Sequence, residues 1–487
     1  MLTQAIGHLY TAVLLGLALY ALHIVLLILL YLWHRRESTP PLPALVDTQL
    51  PTVTVQIPLR NERYVARRII QAVAALDWPD DRLEIQILDD SDDITTTIVH
   101  KQSAELRRKG RDIYLLHRDH SQGHKAGALT AGLRQARGEF IAIFDADFHP
   151  RPDFLRQTVP YFTSDPKLGM VQARWTHLNA EYSLVTRIQA LLLDAHFTVE
   201  HIGRNRSRLL INFNGTAGVW RRRAIEEAGG WTSDTIAEDL DLSYRAQLQG
   251  WQALYLPNVT AAAELPPLIS AFKEQQYRWA KGATQSFRKL LIPLLRSPRL
   301  NFTQKVMGVL HLSGYFTQPL FLLLLLLTLP MTLLDPRLPE LATTLGIIVS
   351  VPPALYLLGQ MALYDDWLSR ILYYPFLMFA GVGLAWTNTR AIIDGLLHWG
   401  GEFKRTPKFK LGKRRGRWRR QRYQPRIDRS LWGEILLGLY ALGTLGSALR
   451  LNREDLLLLI LIYVGGEMLI IGLTLFQAWT AQITEEA

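Results

Sequence analysis

Three short carboxylate clusters, then one guanidinium and one indole, are the residues of this 487-residue chain whose types and spacing suggest chemistry. Asp145-Ala146-Asp147 sets two carboxylates at i, i+2 directly after the apolar run 140–144. That spacing lets both reach one divalent cation and a diphosphate, and Mg²⁺ or Mn²⁺ suits such hard oxygen ligands. Asp89 and Asp90 close another apolar run and are placed to accept hydrogen bonds from a nucleobase and ribose. Ser91, Asp92 and Asp93, next to them, read as local turn and cap residues. Glu238 and Asp239 open a helical pattern, where a carboxylate can take the proton of an incoming hydroxyl, a task worth roughly 10²–10⁴ in rate. Asp241 reads as a helix cap. In Gln275-Gln276-Tyr277-Arg278-Trp279, Gln275 and Arg278 share one helical face at i, i+3. Arg278 suits bidentate contact with a departing diphosphate, and Trp279 offers a flat surface to a sugar-like ring. Lys125 lies at a helix opening, a position that attracts phosphate. Each cluster alone has a plainer reading as a solvated turn, a cap, a surface lysine or a membrane-interface Trp/Arg pair. The ordered set is what favours chemistry.

The elements that must position these groups follow from periodicity. Runs 53–57, 83–88, 113–116 and 140–144 are short, apolar and rich in branched residues, and helical patterns around 65–75 and 127–136 lie between them. Strands alternating with helices predict a mostly parallel α/β sheet with its ligand beyond the strands' carboxyl ends. The first two acidic clusters fall there. This domain is expected over 37–300, after a Pro-rich linker at 38–43.

Apolar segments flank it. Residues 9–33 run without a charge, long enough to cross a bilayer and too long for an ordinary signal peptide. Further spans are expected at 308–334, 342–363, 431–449 and 456–479. The segment 371–397 is interrupted by Pro375, Asn388, Arg390 and Asp394 and is amphipathic in its later half, which suits a helix lying in the interface. Arg35 and Arg36 place the α/β domain in the cytosol by the positive-inside rule. With 371–397 not crossing, five spans keep the thirteen Lys and Arg of 404–429 on that side as well. The net charge of +11 is concentrated in that belt, which reads as a contact with anionic lipid rather than with nucleic acid. With no cysteine, disulfides, thiolate metal sites and cysteine nucleophiles are excluded.

Phe213-Asn-Gly-Thr-Ala-Gly-Val-Trp220, Glu227-Ala-Gly-Gly-Trp231, Glu238-Asp-Leu-Asp-Leu242 and the 275–279 motif resemble the processive family 2 glycosyltransferases, the cellulose synthase superfamily. Within that group the wording is similar to plant mannan and glucomannan synthases and their bacterial relatives. The resemblance implies an α/β GT-A (Rossmann-like) cytosolic domain plus an α-helical transmembrane region. It implies nucleotide contacts from Asp89 or Asp90, Lys125, Gln275 and Arg278, and metal ligation by Asp145 and Asp147. Asp239 becomes the catalytic base, and Trp279, Asn214, Gly215 and Glu238 flank the acceptor. Phe403-Lys-Arg-Thr-Pro-Lys408 is similar to a Phe-x-Val-Thr-x-Lys gating loop, with Phe403, Thr406 and Lys408 kept, Arg405 in place of Val, and Pro407 added. Ala237 stands where Thr is usual before Glu238-Asp239. No further C-terminal domain for a cyclic dinucleotide is present, so that control is not expected within this chain.

The expectation is a multi-pass enzyme of the inner or plasma membrane that polymerises a β-linked glucan or mannan from a UDP- or GDP-hexose and exports it. Its partners are the donor, a polysaccharide or lipid acceptor and membrane lipid. The alternatives are a non-processive transferase adding one sugar to diacylglycerol or a ceramide-type lipid, and a catalytically dead subunit or transporter.

Overall fold

A computed structural model of the chain describes residues 1–119, 121–336, 340–401, 406–411 and 427–486. Eight strands form one sheet: β1 (Val53–Leu59), β2 (Leu83–Asp89), β3 (Ile113–His117), β4 (Phe140–Ile143), β5 (His149–Pro150), β6 (Leu168–His177), β7 (Gly218–Arg221) and β8 (Gln252–Ala263). Their order is β3-β2-β1-β4-β7-β6-β8-β5. The first four are mutually parallel, with Val55 beside Ile85 and Ala142. Expectation and structure part at β7, which runs antiparallel to both β4 and β6. Because it is reversed, its start lies at the edge where its neighbours end, and the preceding residues, Asn214 and Gly215, are carried to that edge.

Both faces of the sheet are covered, which explains why β2 is buried at every position. On one face Val55, Ile57 and Ile85 pack with Ile69 and Val73 of the helix Ala66–Ala74 and with Phe154. On the other, Ile141 and Ile143 pack with Leu129 of the helix His124–Gln135 and with Trp220 and Leu242.

Among the described residues five helices are long and apolar enough to cross a membrane: Leu2–His34, Gly314–Leu334, Leu341–Leu363, Ser430–Arg450 and Glu454–Gln482. Leucines 15, 19, 22 and 29 of the first face outward, as lipid-facing side chains do. The segment expected as one interfacial helix is broken. Trp367–Gly383 and Ala385–Leu397 meet at a 44° bend. Ala385–Leu397 packs on Ile269–Arg296, the helix that carries the 275–279 motif, where Tyr277 Oη donates to Asp394 at 2.8 Å. At the far end of the bundle Arg453 meets Asp335 at 2.8 Å, so the turns around those two residues lie at one end.

Candidate active site

The groups singled out in the sequence meet in a cleft at the carboxyl edge of the sheet. It encloses about 1430 Å³, the open mouth included, and is lined by Arg60, Asp90, Lys125, Asp145, Asp147, Asn214, Gly215, Glu238, Asp239, Gln275, Arg278, Trp279, Thr406 and Lys408, among others.

Asp145 and Asp147 follow β4. The Asp145 N–H donates to Thr216 Oγ1 at 2.9 Å, which fixes the turn, and each carboxylate faces a lysine. Lys125 Nζ lies 2.6 Å from Asp145, and Lys408 Nζ lies 2.7 Å from Asp147. Lys125 stands in the first turn of its helix, after Gly123, whose φ of 73° takes the chain through the left-handed region. Its ammonium also donates to the Gly215 carbonyl at 2.9 Å and lies 3.9 Å from Glu238. Burial works against that charge, yet Asp145 and Glu238 outweigh it and hold the lysine above its ordinary pKa.

Glu238 and Asp239 occupy the first turn of the helix Glu238–Leu248, where the helix dipole favours carboxylates. Burial, then the neighbouring Asp239 charge, pushes Glu238 up to about 7, with Lys125 partly offsetting both. Burial also raises Asp239, again against the pull of Lys125. The acceptor-side loop approaches this pair closely. A Cβ on Gly215, whose φ is 80°, would stand 2.8 Å from Asp239 Oδ2. Gln172, fully buried, holds the loop by accepting from the Asn214 N–H at 2.9 Å and donating to the Thr216 carbonyl at 3.2 Å. Across the cleft, Arg278 Nη2 donates to Thr406 Oγ1 at 2.8 Å. Burial lowers Arg278 to about 10, against the pull of Glu274 and Glu238, so it stays cationic at neutral pH.

Asp89 does not join them. Its carboxylate is fully buried, accepts the Ser91 N–H at 3.1 Å and meets His117 Nδ1 at 3.1 Å. Asp90 reaches the cleft with its carboxylate clasped by Arg118, one contact at 2.6 Å. Asp241 is a buried node joining Thr232, Arg245 and Lys289 rather than a cap alone. Phe403 lies outside the described residues.

Reading the sequence missed Arg60, Glu62, Trp175, His177 and Glu264, all of which line the cleft. Glu264 carried a usable signal: like Asp145, it is an acid immediately after an apolar strand. It accepts the Phe409 N–H at 2.7 Å and faces Arg68 at 3.4 Å, while burial raises its pKa. Phe409 is buried with Leu268, Ala271 and Leu411, so residues 406–411 form a strap fastened beside the cleft.

A GT-A-type sheet whose carboxyl edge gathers an Asp-x-Asp, a paired Glu-Asp and a Gln-x-x-Arg-Trp defines a nucleotide-sugar glycosyltransferase site. Residues 51–282 match the family described as Glycosyltransferase like family 2, and this domain belongs to it. The chain is 39% identical over 342 residues to glucomannan 4-beta-mannosyltransferase 2 of Arabidopsis thaliana, covering 66% of this chain and 64% of that protein. To the probable glucomannan 4-beta-mannosyltransferase 3 of Oryza sativa subsp. japonica it is 39% identical over 372 residues, covering 74% and 66%. It thus spans just under two thirds of these relatives' length. In fold it is similar to the solved mannosyltransferase PcManGT of Pyrobaculum calidifontis, in complex with GDP-Man and Mn²⁺, with a TM-score of 0.54 and 21% identity, covering 80% of this chain and 99% of that one.

Proposed function

We propose that this multi-pass membrane protein is an inverting glycosyltransferase that extends a β-linked polysaccharide of mannan or glucan type, with GDP-mannose as its first-choice donor. The observation that carries this is the convergence of Asp145, Asp147, Asp239, Arg278 and Trp279 on one cleft. The relatives' names supply the sugar.

Asp239, half-buried and raised by that burial above its ordinary value, takes the proton of the acceptor hydroxyl. The freed oxygen attacks the anomeric carbon opposite the leaving diphosphate, so an α-linked donor yields a β-linkage. Trp279 stacks on the acceptor ring. Arg278, Lys125 and Lys408 surround the diphosphate with fixed positive charge, the electrostatic contribution that is often largest. Asp145 and Asp147 fit a hard divalent cation because they are two oxygen donors at one strand end, each already facing a cationic ammonium. Among the described residues no third His, Asp or Glu completes a protein cage. Bound there, Mg²⁺ or Mn²⁺ supplies further charge neutralisation to the leaving group. In this reading the domain faces the cytosol and the membrane is the inner or plasma membrane.

The test is a donor panel of GDP-mannose, UDP-glucose and UDP-N-acetylglucosamine run on the purified full-length protein, with radiolabelled products sized. Long β-linked chains from GDP-mannose are expected. A single glycolipid product would replace polymerisation by lipid glycosylation, and no nucleotide release from any donor would end the enzymatic reading.

A further inference from the structure

The helix Ile269–Arg296 shows two faces. Gln275, Arg278 and Trp279 line the cleft. Lys273, Tyr277 and Lys281 follow one another at i, i+4, i+8 along a different stripe. Every member of that stripe meets an acid from the membrane region. Lys273 Nζ lies 2.5 Å from Glu434 on the span Ser430–Arg450, with side-chain exposures of 8% and 0%. Thr387 Oγ1 donates to the same carboxylate at 3.3 Å. Tyr277 and Lys281 both reach Asp394, at 2.8 and 2.7 Å. Two turns further on, Arg288 donates to the Gly395 carbonyl at 2.8 Å.

A buried ion pair is weak evidence for stability, because desolvating two charges costs about what their attraction returns; fixing register is its best-attested use. Register matters here because Lys273 stands only five residues before Arg278, and a misplacement of about 1 Å at reacting groups can cost roughly 10²-fold in rate. We propose that this polar seam, and the Lys273–Glu434 pair above all, sets the axial position of the helix against the membrane bundle, making Lys273 and Glu434 positioning residues for Arg278 and Trp279. The membrane region then does more than anchor the domain: it holds the wall of the cleft formed by Gln275, Arg278 and Trp279 in place. This rests on the transfer reading above.

The experiment compares Lys273→Met, Glu434→Gln and the double variant in the full-length protein. Lys273→Met leaves the Glu434 carboxylate buried without its ammonium and beside the buried Glu467, which lowers Tm; the double variant removes both charges of the pair and regains it. A merely stabilising pair would move kcat with Tm. A positioning pair leaves the double variant with wild-type Tm, a donor KM within about twofold of wild type and a kcat roughly tenfold or more lower, as the misplacement argument requires. Register is also read without activity. The chain has no cysteine, so spin labels at Ile292→Cys and Leu436→Cys, both exposed, report the distance between the two helices. A shifted or broadened distance in the double variant is expected. Wild-type kcat with an unshifted distance would overturn the proposal. If the wild-type protein transfers no sugar at all, the transfer reading fails, and the label distance alone decides the seam.

Discussion

Asp239 is held between Gly215 and the Lys125 ammonium, with Glu238 beside it, and its behaviour should follow from those neighbours. Asp239→Asn keeps the shape and removes the base. Transfer should fall by roughly 10²–10⁴, the range for general-base loss, while donor binding by calorimetry stays near wild type. The pH dependence has a definite sign. Glu238 is raised from 4.5 to about 7, so the folded chain holds a proton there that the unfolded chain has lost. Its contribution to stability is complete below the ordinary carboxylate value and disappears as pH rises through about 7. Activity runs the other way, since the base must be ionised: burial raises Asp239 above its ordinary value, so kcat/KM should fall on the acid side, with that limb displaced upward from where a free aspartate would put it. Glu238→Gln, by removing a like charge, should move that acid limb to lower pH; an unmoved limb would show that the pair does not titrate together.

At the scale of elements, the cleft depends on how closely the loop before β7 approaches the helix Glu238–Leu248. Gly215→Ala forces a side chain into the left-handed region, at a cost of about 1–2 kcal/mol, and sets its Cβ 2.8 Å from Asp239 Oδ2. A modest drop in Tm with a loss of kcat well beyond tenfold is expected, measured by thermal melt and nucleotide release. Equal losses in a control at Gly110, which has φ of 84° and open space around it, would refute the steric argument. The strap 406–411 is held beside the cleft by the Phe409 N–H on Glu264 and by Lys408 on Asp147.

For the whole molecule, the contact between Arg453 and Asp335 bears on topology. Two turns at one end of the bundle are separated by Leu341–Leu363, the bent pair and Ser430–Arg450. They share an end only if the chain crosses an even number of times between them, which leaves the bent pair on the domain side. We therefore favour five crossings over six. Cysteines introduced singly at Lys109, in the α/β domain, and at Asn452 should be labelled by an impermeant maleimide from opposite sides of sealed vesicles. Labelling from the same side would require six crossings.

Much of this was legible in the residues themselves. Apolar run length marked the candidate spans because a bilayer demands it, and an acid placed directly after a buried run located Asp90, Asp145 and Asp147 at the ligand edge because parallel strands end there. Tertiary structure alone decided that Asp89, one residue from Asp90, is turned inward, because His117 of the neighbouring strand stands beside it and meets its carboxylate. It alone set the buried Gln172 behind the Asn214–Thr216 loop and faced Lys273 with Glu434, 161 positions away. Local spacing says which groups can act; which of them meet depends on how distant segments pack, and no short stretch of sequence records that.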